Sequence, residues 1–252
     1  MKTTTRNRGV LLGFALLPFV SANAGAQTRD ESRIEAGAAF AQTFGSTTFS
    51  ATRTVRESVE DGSLSSSYKT KGASGGAFHV QYNFGAKFGV RAGAQFSSRT
   101  SDGTFTGQSP HPFFFNRPRT FSGSQNGLGF KESAFSLTAV MRGGSGKWSY
   151  AVEAGPVLFS VDATLATGAR LTDTYPYDTA TFASVTTAKS KASPVGIAAG
   201  LEFGRVLNDS VTAFVQGRYA GGSADVDVAG SPVTIKAGGV QARIGLKIVL
   251  AR

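Results

Sequence analysis

The side chains of this sequence best suited to acid–base chemistry are two histidines, since there is no cysteine. His79 falls on the polar side of a predicted strand, where hydrogen bonding inside the fold is the expected role. His111 lies between Pro110 and Pro112, and no hydrolytic arrangement of serine and carboxylate accompanies it. We therefore expect no catalytic residue.

Phosphate and metal sites are the next possibilities. The Gly143–Lys147 run is similar to a phosphate-binding loop, but Met141 stands at the first glycine position and Trp148 follows the lysine where Ser or Thr is needed. The acidic residues that could contact a cation form two groups: Asp225 with Asp227, and Asp162 with Asp173 and Asp178. Neither group has the spacing of a calcium loop. We expect a turn, solvated carboxylates, and no metal or cofactor.

One further set of charged residues is more regular. It contributes about one charge to each predicted strand, on the polar side, and its members are Glu35, Arg91, Glu132, Glu153, Glu202, Arg218, Arg243 and Lys247. With four acids and four bases, the set has no net charge. We predict that they form hydrogen-bonded ion pairs inside a barrel, because an unpaired charge is costly to bury.

Eight strands must position these charges. Alternation with a period of two marks them at about 33–44, 77–84, 88–96, 131–142, 148–155, 195–204, 211–220 and 239–250. The last is the clearest, since every second residue from Val240 to Leu250 is apolar. The chain also has 32 Gly and 20 Phe and is only 17% charged, a composition that favours strands and turns over long helices.

The connections between these strands alternate in length. Long connections fall at about 46–72, 99–129 and 162–190, with a moderate one at 221–236, and short turns fall between them. Antiparallel barrels of outer membranes have short periplasmic turns and longer extracellular loops. The pattern therefore predicts an all-β, eight-stranded antiparallel transmembrane barrel with both ends of the chain in the periplasm.

Alternation alone does not say which stripe faces inward, because a soluble lipocalin-like barrel has an apolar interior and a polar exterior. The polar stripe here is mostly Gly, Ala, Ser and Gln with few charges. That composition is typical of a narrow interior rather than a solvated face. Since eight strands leave an interior just wide enough for side chains, we predict a plugged barrel in a membrane.

The N-terminus predicts export. Lys2, Arg6 and Arg8 precede an apolar run, Val10–Val20, and small residues near 24–26 suit cleavage. We assign residues 1–26 to a signal peptide and residues 27–252 to a single barrel domain in the cell outer membrane. Removal of 1–26 leaves 23 basic and 16 acidic residues, a net charge of +7. This excess predicts contact with lipopolysaccharide phosphates and outer-membrane lipid, with ordinary solvated loop charge as the alternative, and no nucleic-acid motif accompanies it.

The chain resembles the small eight-stranded outer-membrane barrels of the OmpA and OmpX type over residues 30–252. The most specific part is the last strand, in which Arg243, Gly245, Ile248 and Leu250 are similar to the signal read by the barrel-assembly machinery. It departs from that signal at Arg252, where the family usually has an aromatic residue. The peptidoglycan-binding domain of OmpA-type proteins has no counterpart, so the resemblance implies no cell-wall tether.

The most unusual connection runs from Ser109 to Phe121. Its possible contact surface comprises Phe113, Phe114, Phe115, Arg117 and Arg119, and aromatic and Arg side chains dominate interface energetics. The alternative is that the Phe cluster folds over the barrel mouth or dips into the membrane interface. We expect a structural or surface-interaction protein without enzymatic activity. A lipid-modifying outer-membrane enzyme and a small channel for polar solutes remain as alternatives.

Overall fold

The computed structural model describes residues 34–57, 59–228 and 231–251. The predicted signal peptide lies outside them. The described residues form the strands β1 (Ile34–Phe44), β2 (Thr47–Glu57), β3 (Glu60–Thr70), β4 (Ala73–Asn83), β5 (Phe88–Ser109), β6 (Arg119–Ser145), β7 (Trp148–Asp173), β8 (Ala180–Ala192), β9 (Val195–Val206), β10 (Val211–Val228) and β11 (Ser231–Ala251). Within these ranges no helix is long and apolar enough to cross a bilayer.

Eight of the strands close into a ring of antiparallel pairs, in the order β1, β4, β5, β6, β7, β9, β10 and β11. β11 closes the ring because it pairs with β1 as well as with β10, and Ile244 lies opposite both Phe40 and Val215. A closed ladder has no edge strand, so its backbone groups find partners within the sheet. The predicted eight-stranded antiparallel barrel is confirmed.

Tight turns lie at one end of the barrel, at residues 84–87, 146–147 and 207–210. Gly85 has a φ of 116°, which an L side chain rarely adopts. Asn208 stabilises the third turn, since its Oδ1 accepts hydrogen bonds from the backbone N–H groups of Ser210 (3.0 Å) and Val211 (2.8 Å). These turns match the predicted short connections.

The long connections at the opposite end are mostly strand. β5, β6 and β7 have 22, 27 and 26 residues, whereas about 9–11 residues cross a bilayer. The β2–β3 hairpin adds to the upper part of β5, and β8 adds to the upper part of β7. We call this part of the molecule, beyond Phe96 on β5 and Leu158 on β7, the extension. It replaces the irregular loops that the sequence suggested.

The two faces of each long strand exchange polarity at the start of the extension. Along β5 the outward residues change from Phe88 and Phe96 to Thr104, while the inward residues change from Arg91 to Phe105. Odd-numbered residues stay inward throughout. The lower barrel is therefore apolar outside and polar inside, and the extension has the reverse arrangement.

An exposed apolar belt surrounds the lower barrel. Each ring strand contributes to it, for example through Phe40, Phe78, Phe96, Leu137, Leu158, Leu201, Val215 and Ile244. On β7 the belt runs from Trp148 to Leu158, a rise of about 33 Å at ~3.3 Å per residue. With the usual tilt of about 35–45°, this gives a band about 25 Å tall, the height found in outer-membrane barrels. The belt is thus the surface that faces lipid, and the alternative of a soluble barrel is excluded.

A hydrophobic core fills the extension. Leu64, Phe105, Phe130, Phe159, Leu165 and Ile235 are among its buried residues. Tyr68 crosses the core from β3, and its hydroxyl accepts a hydrogen bond from the backbone N–H of Ala166 at 2.8 Å. Burial raises the pKa of the Tyr68 phenol above its ordinary value, so the group stays neutral. The extension therefore has a buried apolar core of its own.

Candidate functional site: barrel interior and extracellular tip

All eight charges predicted for the interior point into the barrel. Seven are buried, and Lys247 is half-buried near the end that carries the tight turns. They lie on strands β1, β5, β6, β7, β9, β10 and β11, because each occupies the inward phase of its strand. Their pairing, which alternation does not encode, is set by how the strands align.

Arg91 lies at the centre of the interior network. Its Nη1 is 2.8 Å from Glu153 Oε2 on β7 and 2.9 Å from Glu202 Oε2 on β9. Its Nε donates a hydrogen bond to Gln81 Oε1 at 2.9 Å. Glu153 also meets Arg218, at 3.5 Å between Oε1 and Nε. One guanidinium thus joins strands from opposite sides of the barrel.

A second group of charges lies nearer the tight turns. Glu35 accepts hydrogen bonds from Arg142 (3.0 Å) and Asn83 (3.1 Å). Lys247 Nζ lies 3.6 Å from Glu35 Oε2 and 2.8 Å from Glu202 Oε1. Lys247 therefore links this group to the Arg91 cluster, and ion pairs continue through the lower interior.

Glu132 lies apart from the other acids, at the start of the extension. It pairs with Arg99 at 3.1 Å and accepts the backbone N–H of Gly238 at 3.1 Å. The guanidinium of Arg99 also lies over the ring of Phe130, 4.5 Å from its centroid. This ion pair marks the boundary between the polar lower interior and the apolar core above it.

Sequence reasoning missed Arg99 and Arg142, which pair with two of the predicted interior acids. Both were detectable, because Arg142 continues the inward phase of Glu132 along β6 and Arg99 continues that of Arg91 along β5. With them the predicted balance of four acids and four bases becomes four acids and six bases. The expectation of a charge-balanced interior is therefore corrected for the described residues.

Arg243 is the interior cation held without a carboxylate. No Asp or Glu oxygen of the described residues lies within ion-pair distance of it. Its guanidinium donates instead to the side-chain oxygens of Gln216 (3.3 Å), Gln241 (3.4 Å) and Gln95. These glutamines were also missed, since an amide on an inward stripe gives no signal of what it will bind.

His79 faces the interior and not the lipid. Its ring packs edge-on against Phe214 with centroids 5.6 Å apart. A Cβ at position 37 would collide with the imidazole, so Gly37 makes room for it. Phe214 also explains why the predicted seventh strand has an impure pattern, because an aromatic ring occupies an inward position there.

Five aromatic side chains lie in two connections at the end of the extension farthest from the tight turns. Phe113, Phe114 and Phe115 come from the β5–β6 connection, and Tyr175 and Tyr177 from the β7–β8 connection. Phe113 contacts Tyr177 with ring centroids 5.3 Å apart, and Tyr177 contacts Tyr175 at 6.0 Å. Phe115 is 71% exposed and Tyr175 is 82% exposed. We call these five residues the aromatic tip.

Arg119 supports the tip from below and does not form part of its surface, which corrects the sequence expectation. It is buried, pairs with Asp173 at 2.6 Å, and donates to the backbone oxygens of Pro110 (3.1 Å) and Tyr177 (3.2 Å). Asp173, expected as a solvated carboxylate, is thus the partner of a buried arginine. Arg117 remains on the surface, 5.4 Å from the ring of Phe114.

His111 is a second support of the tip. It is buried, and its Nδ1 accepts hydrogen bonds from the backbone N–H groups of Phe113 (3.1 Å) and Phe114 (3.2 Å). Its Nε2 lies 3.8 Å from Asp178. On the neighbouring β3, Glu60 accepts the N–H of Asn116 at 2.7 Å. The exposed rings are therefore held on an ordered backbone.

The other candidates have local roles. Asp225 accepts a hydrogen bond from Thr234, and residues 143–147 end β6 and form the turn into β7. Among the described residues, no three His, Asp or Glu side chains are grouped as a metal site would require.

Solved structures of other proteins have a similar fold. No protein-family model matches the sequence, and no curated protein is significantly similar to it. OprG from Pseudomonas aeruginosa aligns with a TM-score of 0.56 at 11% identity, over 88% of this chain and 97% of that one. Ail of Yersinia pestis aligns with a TM-score of 0.39 at 10% identity, over 86% and 98%. The outer membrane protease OmpT of Escherichia coli aligns with a TM-score of 0.39 at 11% identity, over 91% and 100%.

Of these structures, OprG has a TM-score above 0.5 and supports the assignment of the fold. At 11% identity the likeness concerns the fold alone, and it agrees with the closed ring and the apolar belt. The predicted resemblance to small outer-membrane barrels is confirmed at that level. The chain has the fold of the eight-stranded outer-membrane barrels, and its belt identifies it as an outer-membrane β-barrel protein.

Proposed function

We propose that this protein is a non-conducting outer-membrane barrel that presents the aromatic tip as a contact surface for another macromolecule. The observation that carries the proposal is the aromatic tip itself, a cluster of exposed rings on a backbone held by buried Arg119 and His111. Solvent-exposed aromatic clusters are unusual on proteins that make no contacts. Aromatic rings and arginine are the side chains that contribute most to binding interfaces.

The filled interior supports the first part of the proposal. Ion pairs around Arg91 occupy the lower barrel, and the core around Phe105 and Phe130 occupies the extension. A solute would have to pass both levels in turn. An eight-stranded barrel has little space left once its interior side chains are packed.

The length of the extension supports the second part. From Phe96 to Ser109 the strand β5 rises about 43 Å at ~3.3 Å per residue, or about 33 Å along the barrel axis after tilt. Phe113 and its neighbours therefore lie far above the belt and cannot dip into the membrane interface. Their partner is a molecule outside the lipid.

Lysines on the flank of the extension suit a second contact, with lipopolysaccharide phosphates. Lys131 on β6 and Lys191 on β8 lie on either side of Asp162, and Lys189 lies two residues from Lys191. Lys131 is four residues above the belt residue Phe135, about 13 Å along the strand at ~3.3 Å per residue. Phosphate groups of the outer leaflet come within the range of these charges.

A small channel is the second candidate, and the surplus of interior cations is the observation that favours it. A path for anions along Arg91, Arg218 and Arg243 would still end at the apolar core of the extension. A lipid-modifying enzyme would need reactive groups facing the belt, whereas His79 faces inward and His111 lies at the tip. We therefore propose no catalysis.

Export and assembly belong to the same proposal. Residues 1–26 would act as the signal peptide, and residues 27–252 would form one barrel domain. Arg243, Gly245, Ile248 and Leu250 would be read by the barrel-assembly machinery. In β11 Arg243 points inward and Ile248 and Leu250 point to the lipid, while a Cβ at Gly245 would collide with the backbone of β1.

Site-directed cross-linking tests the contact surface, because a chain without cysteine accepts a single engineered one as its only thiol. A Phe115→Cys variant labelled with a maleimide photo-cross-linker on intact cells should give a discrete adduct of higher mass. A Thr106→Cys variant, labelled at an exposed position on the flank of the same extension, should not. Discrete adducts at both positions, or at neither, would contradict a contact surface located at the tip.

A further inference from the structure

Four inward side chains on β10 and β11 form a square inside the lower barrel. Gln216 lies opposite Arg243, and Arg218 lies opposite Gln241, so the two arginines occupy diagonal corners. All four residues are more than nine-tenths buried. Diagonal neighbours on paired strands are within reach of side chains of this length.

Each residue of this square has one buried side-chain nitrogen that forms no hydrogen bond with the residues that the structure describes. These atoms are Gln216 Nε2, Gln241 Nε2, Arg218 Nε and Arg243 Nε. Both glutamines turn their oxygens toward Arg243, which leaves their amide nitrogens to face elsewhere. Buried hydrogen-bond donors without an acceptor are rare in native proteins, and each one needs a physical explanation.

The charges around the square are also unbalanced. The lower interior holds three carboxylates, Glu35, Glu153 and Glu202, and each already contacts two cations. The same region holds five cations: Arg91, Arg142, Arg218, Arg243 and Lys247. The only carboxylate oxygen of the described residues that contacts the square is Glu153 Oε1, 3.5 Å from Arg218 Nε.

From this juxtaposition of unpaired donors and surplus cations, we propose that the square binds a small inorganic anion such as chloride. The ion supplies an acceptor to donors of the square and offsets the positive charge of Arg218 and Arg243. An interior just wide enough for side chains limits the ligand to about the size of a halide. Since ion pairs around Arg91 close the lower barrel and the apolar core closes the extension, the ion enters while the barrel folds.

This inference goes beyond the proposed contact function and does not depend on the tip. A ligand that binds only the folded state stabilises it in proportion to the logarithm of its concentration once the site is near saturation. We therefore expect the urea midpoint of the refolded protein to rise with the logarithm of chloride concentration, when sodium gluconate keeps the ionic strength constant. Urea is the suitable denaturant because guanidinium chloride would itself supply the ion.

Two variants make the test specific. Arg243→Gln should abolish the dependence on chloride, whereas Lys191→Gln, which removes an exposed lysine on the extension, should retain it. Equal slopes in all three proteins would show a general salt effect, and no slope in the wild type would show no binding. Either result would overturn the proposal.

A second measurement keeps the proposal testable even if Arg243→Gln fails to fold. Crystals of the wild-type protein refolded and grown in sodium bromide should show an anomalous peak within about 3.5 Å of nitrogens of Arg218 or Arg243. Ordered water without an anomalous signal at this position would overturn the anion site.

Discussion

Glu153→Leu should lower the free energy of unfolding by about 3–5 kcal/mol, the usual cost of breaking a buried ion pair by removing one partner. Glu153 contacts Arg91 and Arg218, both buried, and its loss leaves the lower interior with still more unbalanced positive charge. The measurement is the denaturant midpoint and slope of the protein refolded in detergent or lipid, provided that unfolding is reversible.

Asp61→Leu is the matched control, because Asp61 is an exposed carboxylate on β3. It should change the free energy of unfolding by less than about 1 kcal/mol, as exposed charges usually do. Asp173 is unsuitable as a control, since it pairs with buried Arg119. Equal and small effects of Glu153→Leu and Asp61→Leu would indicate a water-filled interior.

Phe105→Ala should also destabilise the protein by about 3–5 kcal/mol, the range for removal of a buried Phe side chain. The ring is 0% exposed, and it packs against Tyr68 at 6.0 Å and Phe182 at 5.8 Å between centroids. Because the cavity would lie in the extension, hydrogen exchange of its strands should report the loss together with the global denaturant midpoint.

Phe115→Ala removes the same side chain from an exposed position and is the control for Phe105→Ala. We expect it to change stability by no more than about 0.5 kcal/mol, as surface substitutions usually do. If both variants were equally mild, the extension would lack a packed core, and it would be a set of loose loops like those first expected from the sequence.

The lower barrel was predictable because lipid imposes a strict rule on each strand. Every second residue from Val240 to Leu250 is apolar, and the structure turns those residues outward. The extension was not predicted because its apolar residues face inward, the reverse of the lower barrel, and its alternation of polar and apolar residues is weaker. In β11 the inward residues Val233, Ile235 and Ala237 are apolar, but five of the eleven residues of β3 are Ser or Thr, which gives little periodicity.

The site was predictable in position but not in partnership. The phase of each strand places Arg91, Glu153 and Glu202 inside, yet their convergence depends on how β5 faces the paired strands β7 and β9 across the barrel. The role of Arg119 could not be inferred either. Its partner Asp173 is 54 residues away, and they meet because both β6 and β7 extend far beyond the membrane.

The measurement that tests the central claim most directly is single-channel recording from planar bilayers. The claim is that ion pairs around Arg91 and the core around Phe105 close the barrel at two levels. Protein first shown by flotation with liposomes to be inserted should give no conductance steps above the bare-membrane baseline. Reproducible steps from the inserted wild-type protein would contradict the account and support an anion channel through the cationic interior.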